Sequence, residues 1–130
     1  SREESDYLPH NYTHNCVVYT GTHDNDTVMG WYDTLKGADK KLCDDYLRLK
    51  NADGEPIPRE QLPWEFVRAA MSSVADLAII PMQDYLGLGS EARINIPSTL
   101  GINWKWRMGN GDFTKELAGR IRSMTKLYGR

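Results

Sequence analysis

The sequence predicts an α/β fold whose strands run parallel and whose sheet is incomplete within this chain. Three observations carry that expectation. Cys16-Val17-Val18-Tyr19-Thr20 and Leu77-Ala78-Ile79-Ile80-Pro81 are short runs rich in apolar and β-branched residues, of strand length. Segments of helical periodicity separate them, so the connection crosses over and the strands pair in parallel. Two parallel strands alone leave both sheet edges unpaired, which an isolated domain does not tolerate.

Taken in order, Ser1 to Asn15 is polar and turn-rich, with Pro9, His10 and His14, and reads as a loop. It opens without an initiator Met or a secretory signal, as a fragment or a processed chain would. Gly21 ends the first strand, and Asp26 is expected to cap a helix over Thr27 to Leu35. A second helix is expected from Asp39 to Leu49, with Leu42, Tyr46 and Leu49 on one face. Asn51 to Arg59 holds Asp53-Gly54 and two prolines and reads as a surface loop.

Pro63 suits the first turn of a third helix, where its missing N–H is not needed. Val67, Ala70, Met71 and Val74 then form one apolar face. The second strand is continuously apolar, the pattern of a parallel strand covered on both faces. Gly87 to Asn103 reads as a long loop. The last helix is expected over Phe113 to Leu127, with Phe113, Leu117, Ile121, Met124 and Tyr128 along one stripe.

Composition narrows the function. Hydrophobic residues are 40% and charged residues 26%, as in folded, soluble chains, and the net charge is −2. That charge offers no electrostatic footprint for nucleic acid or an anionic membrane. No apolar run approaches the ~20 residues of a membrane span. Cys16 and Cys43 lack metal-site spacing and read as free thiols in a reducing cytoplasm.

In parallel α/β folds the chemistry gathers at the C-terminal ends of the strands. The first strand is followed by Gly21-Thr22-His23-Asp24-Asn25-Asp26-Thr27. His23 and Asp24 can bind neighbouring sugar hydroxyls, and the carboxylate can steady a nearby positive charge. In isolation the doublet reads more readily as a helix cap with a histidine packed beside it. A calcium loop opening at Asp24 is disfavoured, because Val28 stands where an oxygen ligand belongs and Gly30 comes one place late. Gln83 and Asp84 end the second strand, with Asp84 open to a second use, satisfying the start of its own helix. Trp104 and Trp106 can stack on sugar rings or fill a core.

Together these segments are specific. Val17 to Thr27 followed by Gly30-Trp31 resembles the seventh-strand motif of the 4-α-glucanotransferases, the amylomaltase or disproportionating-enzyme family. Leu8-Pro9-His10-Asn11-Tyr12 resembles the loop before it, and Ala75 to Asp84 the eighth strand. Glu91-Ala92-Arg93-Ile94-Asn95-Ile96-Pro97 and Asn103-Trp104-Lys105-Trp106-Arg107 resemble the closing loop. Ile94 and Ser98 depart from the Met and the Gly or Ala of some members. The Asn51 to Arg59 loop matches nothing in the family pattern.

The resemblance implies the last two strands and helices of a (β/α)8 TIM barrel, incomplete as a domain, with residues 1–130 running from before strand seven to the final helix. It implies a retaining enzyme that moves α-1,4-glucan segments between malto-oligosaccharides. Asp24 takes the place of the transition-state-stabilising carboxylate. His23, Gln83, Arg93 and Asn95 take substrate-binding places. Neither a metal nor another cofactor is implied, and the location expected is cytoplasmic, or plastid for a plant source. The nucleophile and general acid belong to the fourth and fifth strands, so this chain needs the N-terminal part of the barrel and is inactive alone. The rival readings are a metal-dependent phosphohydrolase using the His-Asp doublet and a non-catalytic sugar-binding module.

Overall fold

A computed structural model describes residues 4–130. Strand β1 (Val17–Tyr19) and strand β2 (Leu77–Ile79) pair in parallel, with Val18 opposite Ala78. Between them the chain forms helices α1 (Val28–Thr34), α2 (Gly37–Tyr46) and α3 (Leu62–Met71). Beyond β2 come a single-turn helix α4 (Met82–Tyr85) and the long α5 (Lys115–Leu127). The parallel pair and the helical crossover follow the sequence expectation.

Helix α3 organises the interior. Val67 and Met71 pack with Trp64 of the same helix and Met124 of α5, and partly buried Leu117, Ile121 and Tyr128 extend that cluster. Ala70 and Ala75 meet Val18 and Ala78 at the sheet. A further cluster joins Val28 and Met29 of α1 to Cys43, Leu49 and Leu62. Arg130 closes the far end of α3, donating to the carbonyls of Met71, Ser73 and Ala75.

Several expectations are corrected. Within this chain the second strand is covered on one face only: Leu77 and Ile79 are exposed, as are Val17 and Tyr19 beside them. The packing elements all lie on the face of Val18, so alternation leaves the other side of the two-stranded sheet open. The expected second helix stops at Tyr46, because Arg48 takes a left-handed conformation at φ 57°. Leu49 N–H then donates to Asp44 O and Arg48 N–H to Asp45 O, a Schellman closure without glycine. The inward residues of α2 are Cys43 and Asp44, while Leu42 is exposed. Val74 lies beyond α3 and is exposed, and Phe113 precedes α5, where Thr114 provides the cap.

The unmatched 51–59 segment is a tight reversal. Asn51 Oδ1 accepts from the N–H groups of Asp53 and Glu55, and a bridge pairs Lys50 with Pro56. Arg59 returns the chain to α1 through two bonds to Asp33, at 2.9 and 2.7 Å. That guanidinium holds the Asp33 carboxyl below its ordinary range.

Candidate functional site at the strand ends

The loop leaving β1 and the loop leaving β2 meet at one rim. Thr22 starts the first with a local turn, its N–H and hydroxyl both directed to Asn25 Oδ1. His23 and Asp24 project from that turn, each about half exposed, with Nε2 of the imidazole 3.4 Å from Asp24 Oδ1. The second loop secures them by backbone and side chain together. Asn95 N–H donates to the His23 carbonyl at 3.1 Å. Asn95 Nδ2 donates to Asp24 Oδ1 at 2.7 Å. Arg93 Nη2 donates to the Asp24 carbonyl at 2.7 Å, and its Nε to the Asn95 carbonyl at 2.9 Å.

Trp104 completes this side. Its N–H donates to the Ile94 carbonyl at 2.7 Å, and its ring centroid lies 5.0 Å from that of His23. Trp104 adopts φ 65°, in the left-handed region that bulky residues rarely enter. The ring remains more than half exposed. Ser98 is also left-handed, at φ 63°. A glycine would meet that conformation without the steric cost a serine carries.

Four of the five residues singled out from the sequence thus converge: His23, Asp24, Arg93 and Asn95. Gln83 sits deeper. It is buried, and its side-chain N–H donates to the Ala92 carbonyl at 3.2 Å, holding the second loop from below. With Gly21, Asp26 and Ile94 it lines a small cleft between the two loops.

Two carboxylates differ from expectation. Asp26 does not cap α1. Thr27 does, its hydroxyl accepting from Gly30 N–H at 3.1 Å. Asp26 instead accepts from Ser90 Oγ at 2.6 Å and from Thr27 N–H at 2.8 Å. Asp84 does not serve the start of its own helix. Fully buried, it accepts from Thr20 Oγ1 at 2.6 Å and from Val28 N–H at 2.9 Å. Burial raises its pKa, those two hydrogen bonds oppose the rise, and Asp26 adds to it. Neither Ser90 nor the reach of Asp84 across the rim was marked by the sequence.

Chemically, the rim offers an accessible carboxylate, an imidazole, a guanidinium and an open indole face. These are groups suited to vicinal hydroxyls and sugar rings. Among the described residues no three His, Cys, Asp or Glu side chains gather as a metal-ligand set. No described helix is long and apolar enough to cross a membrane.

Comparison with known proteins places the chain among relatives of one family. The chain is 50% identical over 125 residues to a 4-alpha-glucanotransferase of Clostridium butyricum, covering 95% of this chain and 24% of that protein. It is 47% identical over 133 residues to the chloroplastic/amyloplastic 4-alpha-glucanotransferase of Solanum tuberosum, covering 100% of this chain and 22% of that one. It therefore spans about a quarter of the length of these relatives. The structure of amylomaltase from Streptococcus agalactiae in complex with acarbose superposes with a TM-score of 0.86 at 34% identity, over 97% of this chain and 24% of that one. The sequence profile described as 4-alpha-glucanotransferase matches residues 1–113, and the chain belongs to that family.

Proposed function

We propose that this chain is the part of a 4-α-glucanotransferase catalytic barrel that carries strands seven and eight, and that it supplies the stabilising carboxylate for glucan transfer. The observation that carries this reading is Asp24, exposed at the strand ends yet aimed by a 2.7 Å bond from Asn95. In a retaining transfer, bond cleavage leaves the donor sugar ring with oxocarbenium character. A fixed anion beside that ring gains interaction energy as the charge develops, and so lowers the barrier rather than merely tightening binding. His23 and Arg93 contact hydroxyls of the sugar, Trp104 stacks beneath it, and Gln83 and Asn95 keep the two loops in register.

The nucleophile and general acid come from the remainder of the barrel, which also covers the open sheet face formed by Val17, Tyr19, Leu77 and Ile79. Malto-oligosaccharides are the substrates. The protein works in the cytoplasm, or in a plastid if its source is a plant, in keeping with two free cysteines and with bacterial and chloroplastic relatives.

The test is Asp24→Asn in the full-length enzyme, assayed by glucose release from maltotriose. Asparagine keeps the shape and can still accept from Asn95, but it lacks the charge. Turnover is expected to fall on the order of 10²–10³, the usual cost of removing one electrostatic stabiliser. KM and melting temperature should change little. Near-parental kcat, or a loss explained by unfolding, would refute the assignment.

A further inference from the structure

We infer that Asp84 is a positioning residue, holding the Gly21–Thr27 loop at both ends so that the groups it carries face the substrate. The inference rests on the reading of Asp24 above. One Asp84 oxygen accepts from Thr20 Oγ1, immediately before the loop, at 2.6 Å. The other accepts from the N–H of Val28, immediately after it, at 2.9 Å. A single carboxylate therefore fixes the distance between the two ends of the segment. Because Asp84 follows β2, the same contact sets the first loop against the strand that launches Arg93 and Asn95.

The arrangement is suited to stiffness. Asp84 is 1% exposed, so water does not compete for its lone pairs, and hydrogen bonds to a buried anion are strong ones. Thr27, where the loop ends, is buried, whereas Thr22 to Asn25 are exposed. The loop is thus anchored at its feet and open at its crest, where His23 and Asp24 stand. The side-chain hydrogen bonds of Asp84 go to Thr20 and Val28 and not to His23 or Asp24. Its influence passes through the backbone, which distinguishes it from the sugar-contacting groups.

A misplacement of about 1 Å in a catalytic group can cost on the order of 10²-fold in rate. The experiment compares Asp84→Ala, Asp84→Asn and Thr20→Val in the full-length enzyme, alone and combined with Asp24→Asn. The readouts are kcat and KM for maltotriose below the melting transition, and amide exchange of the 20–28 segment against α3. Asp84→Ala is expected to lower kcat about 10²-fold and to speed exchange in 20–28 while α3 stays protected. Asparagine can accept from Val28 and donate to Thr20, so Asp84→Asn should restore most of that turnover. In the Asp24→Asn background, Asp84→Ala should cost far less than it does alone.

If Asp84→Ala does not fold, Thr20→Val removes one foot of the clamp and carries the same test with a smaller fall in kcat. Near-parental kcat with a lowered melting temperature would overturn the inference, as would the same cost in both Asp24 backgrounds alongside unchanged exchange. Should Asp24→Asn prove harmless while Asp84→Ala still slows turnover and frees the loop, the clamp stands and the Asp24 assignment fails.

Discussion

Replacing Gly30 with alanine puts a methyl group where the structure leaves no room. A Cβ there would run into Ser90 Oγ and lie 2.6 Å from Asp26 Oδ1 and 2.7 Å from Asp26 Cγ. Two effects oppose each other. Alanine favours a helix interior over glycine by about 1 kcal/mol, and Gly30 lies within α1. Against this, the methyl must part Ser90 from Asp26, whose 2.6 Å bond joins the β2 loop to the β1 loop. A hydrogen bond to a charged acceptor contributes about 1.5–3 kcal/mol, with the lower end suited to this exposed pair. Forcing in the extra carbon costs about 1–3 kcal/mol more. Repulsion wins, and Gly30→Ala should destabilise by about 1.5–3.5 kcal/mol net of the helix gain.

The assay is the urea midpoint of the full-length enzyme, read with its m-value so that a change in cooperativity is not mistaken for one in stability. Ser90→Ala and the double variant complete a cycle. Ser90→Ala removes the nearest clashing atom, so the two substitutions together should cost less than their separate costs added. Gly30→Ala at or above parental stability would show that helix propensity outweighs the clash. Strict additivity would show that Ser90 does not sit against Gly30 at all.

Two further outcomes are expected. Asn95→Ala removes the 2.7 Å bond to Asp24 but keeps the backbone bond to His23 and the Arg93 contact; kcat/KM for maltotriose should fall about tenfold, the equivalent of roughly 1.4 kcal/mol, with little change in melting temperature. Unchanged kinetics beside a lowered melting temperature would make Asn95 structural. Burial pushes the Cys43 thiol up to about 11, so a thiolate-selective reagent at pH 8 should spare it in the native enzyme and modify it only on unfolding. Labelling of Cys43 at the rate of a free thiol would contradict its place in the α1–α2 core.

What the sequence made legible follows the range of the interactions. The strands and helices are local: β-branched runs, Pro63 at a helix start and the spacing of Leu117, Ile121 and Met124 are read from neighbours along the chain. Boundary errors were also local in origin. A non-glycine residue in the left-handed region, Arg48, ended α2 where no composition signal marked a stop. Helix α2 turns Cys43 and Asp44 inward and leaves Leu42 exposed, although Asp44 carries a charge. The Asp44 carboxylate accepts from the Tyr32 hydroxyl at 2.7 Å, which makes burial affordable.

The site divides along the same line. The rule that chemistry gathers at strand ends points to its two segments, and the family resemblance names its candidate members, yet neither reveals their partners. Thr20 meets Asp84 across 64 residues, and Asn95 meets Asp24 across 71. Such pairings depend on strand register, which puts Tyr19 beside Ile79. Once that register is known, the residues just beyond each strand must share one rim, and a buried carboxylate there must find donors on the opposite loop or stay unsatisfied at a cost of several kcal/mol. Asp84 finds two, one on each side of the loop that bears Asp24. The accessible carboxylate stands in a sequence motif that resembles the family's. The buried one has no such motif, since many residue pairs could join two loop ends. Here Asp84 carries that duty, and only the fold reveals which residues it joins.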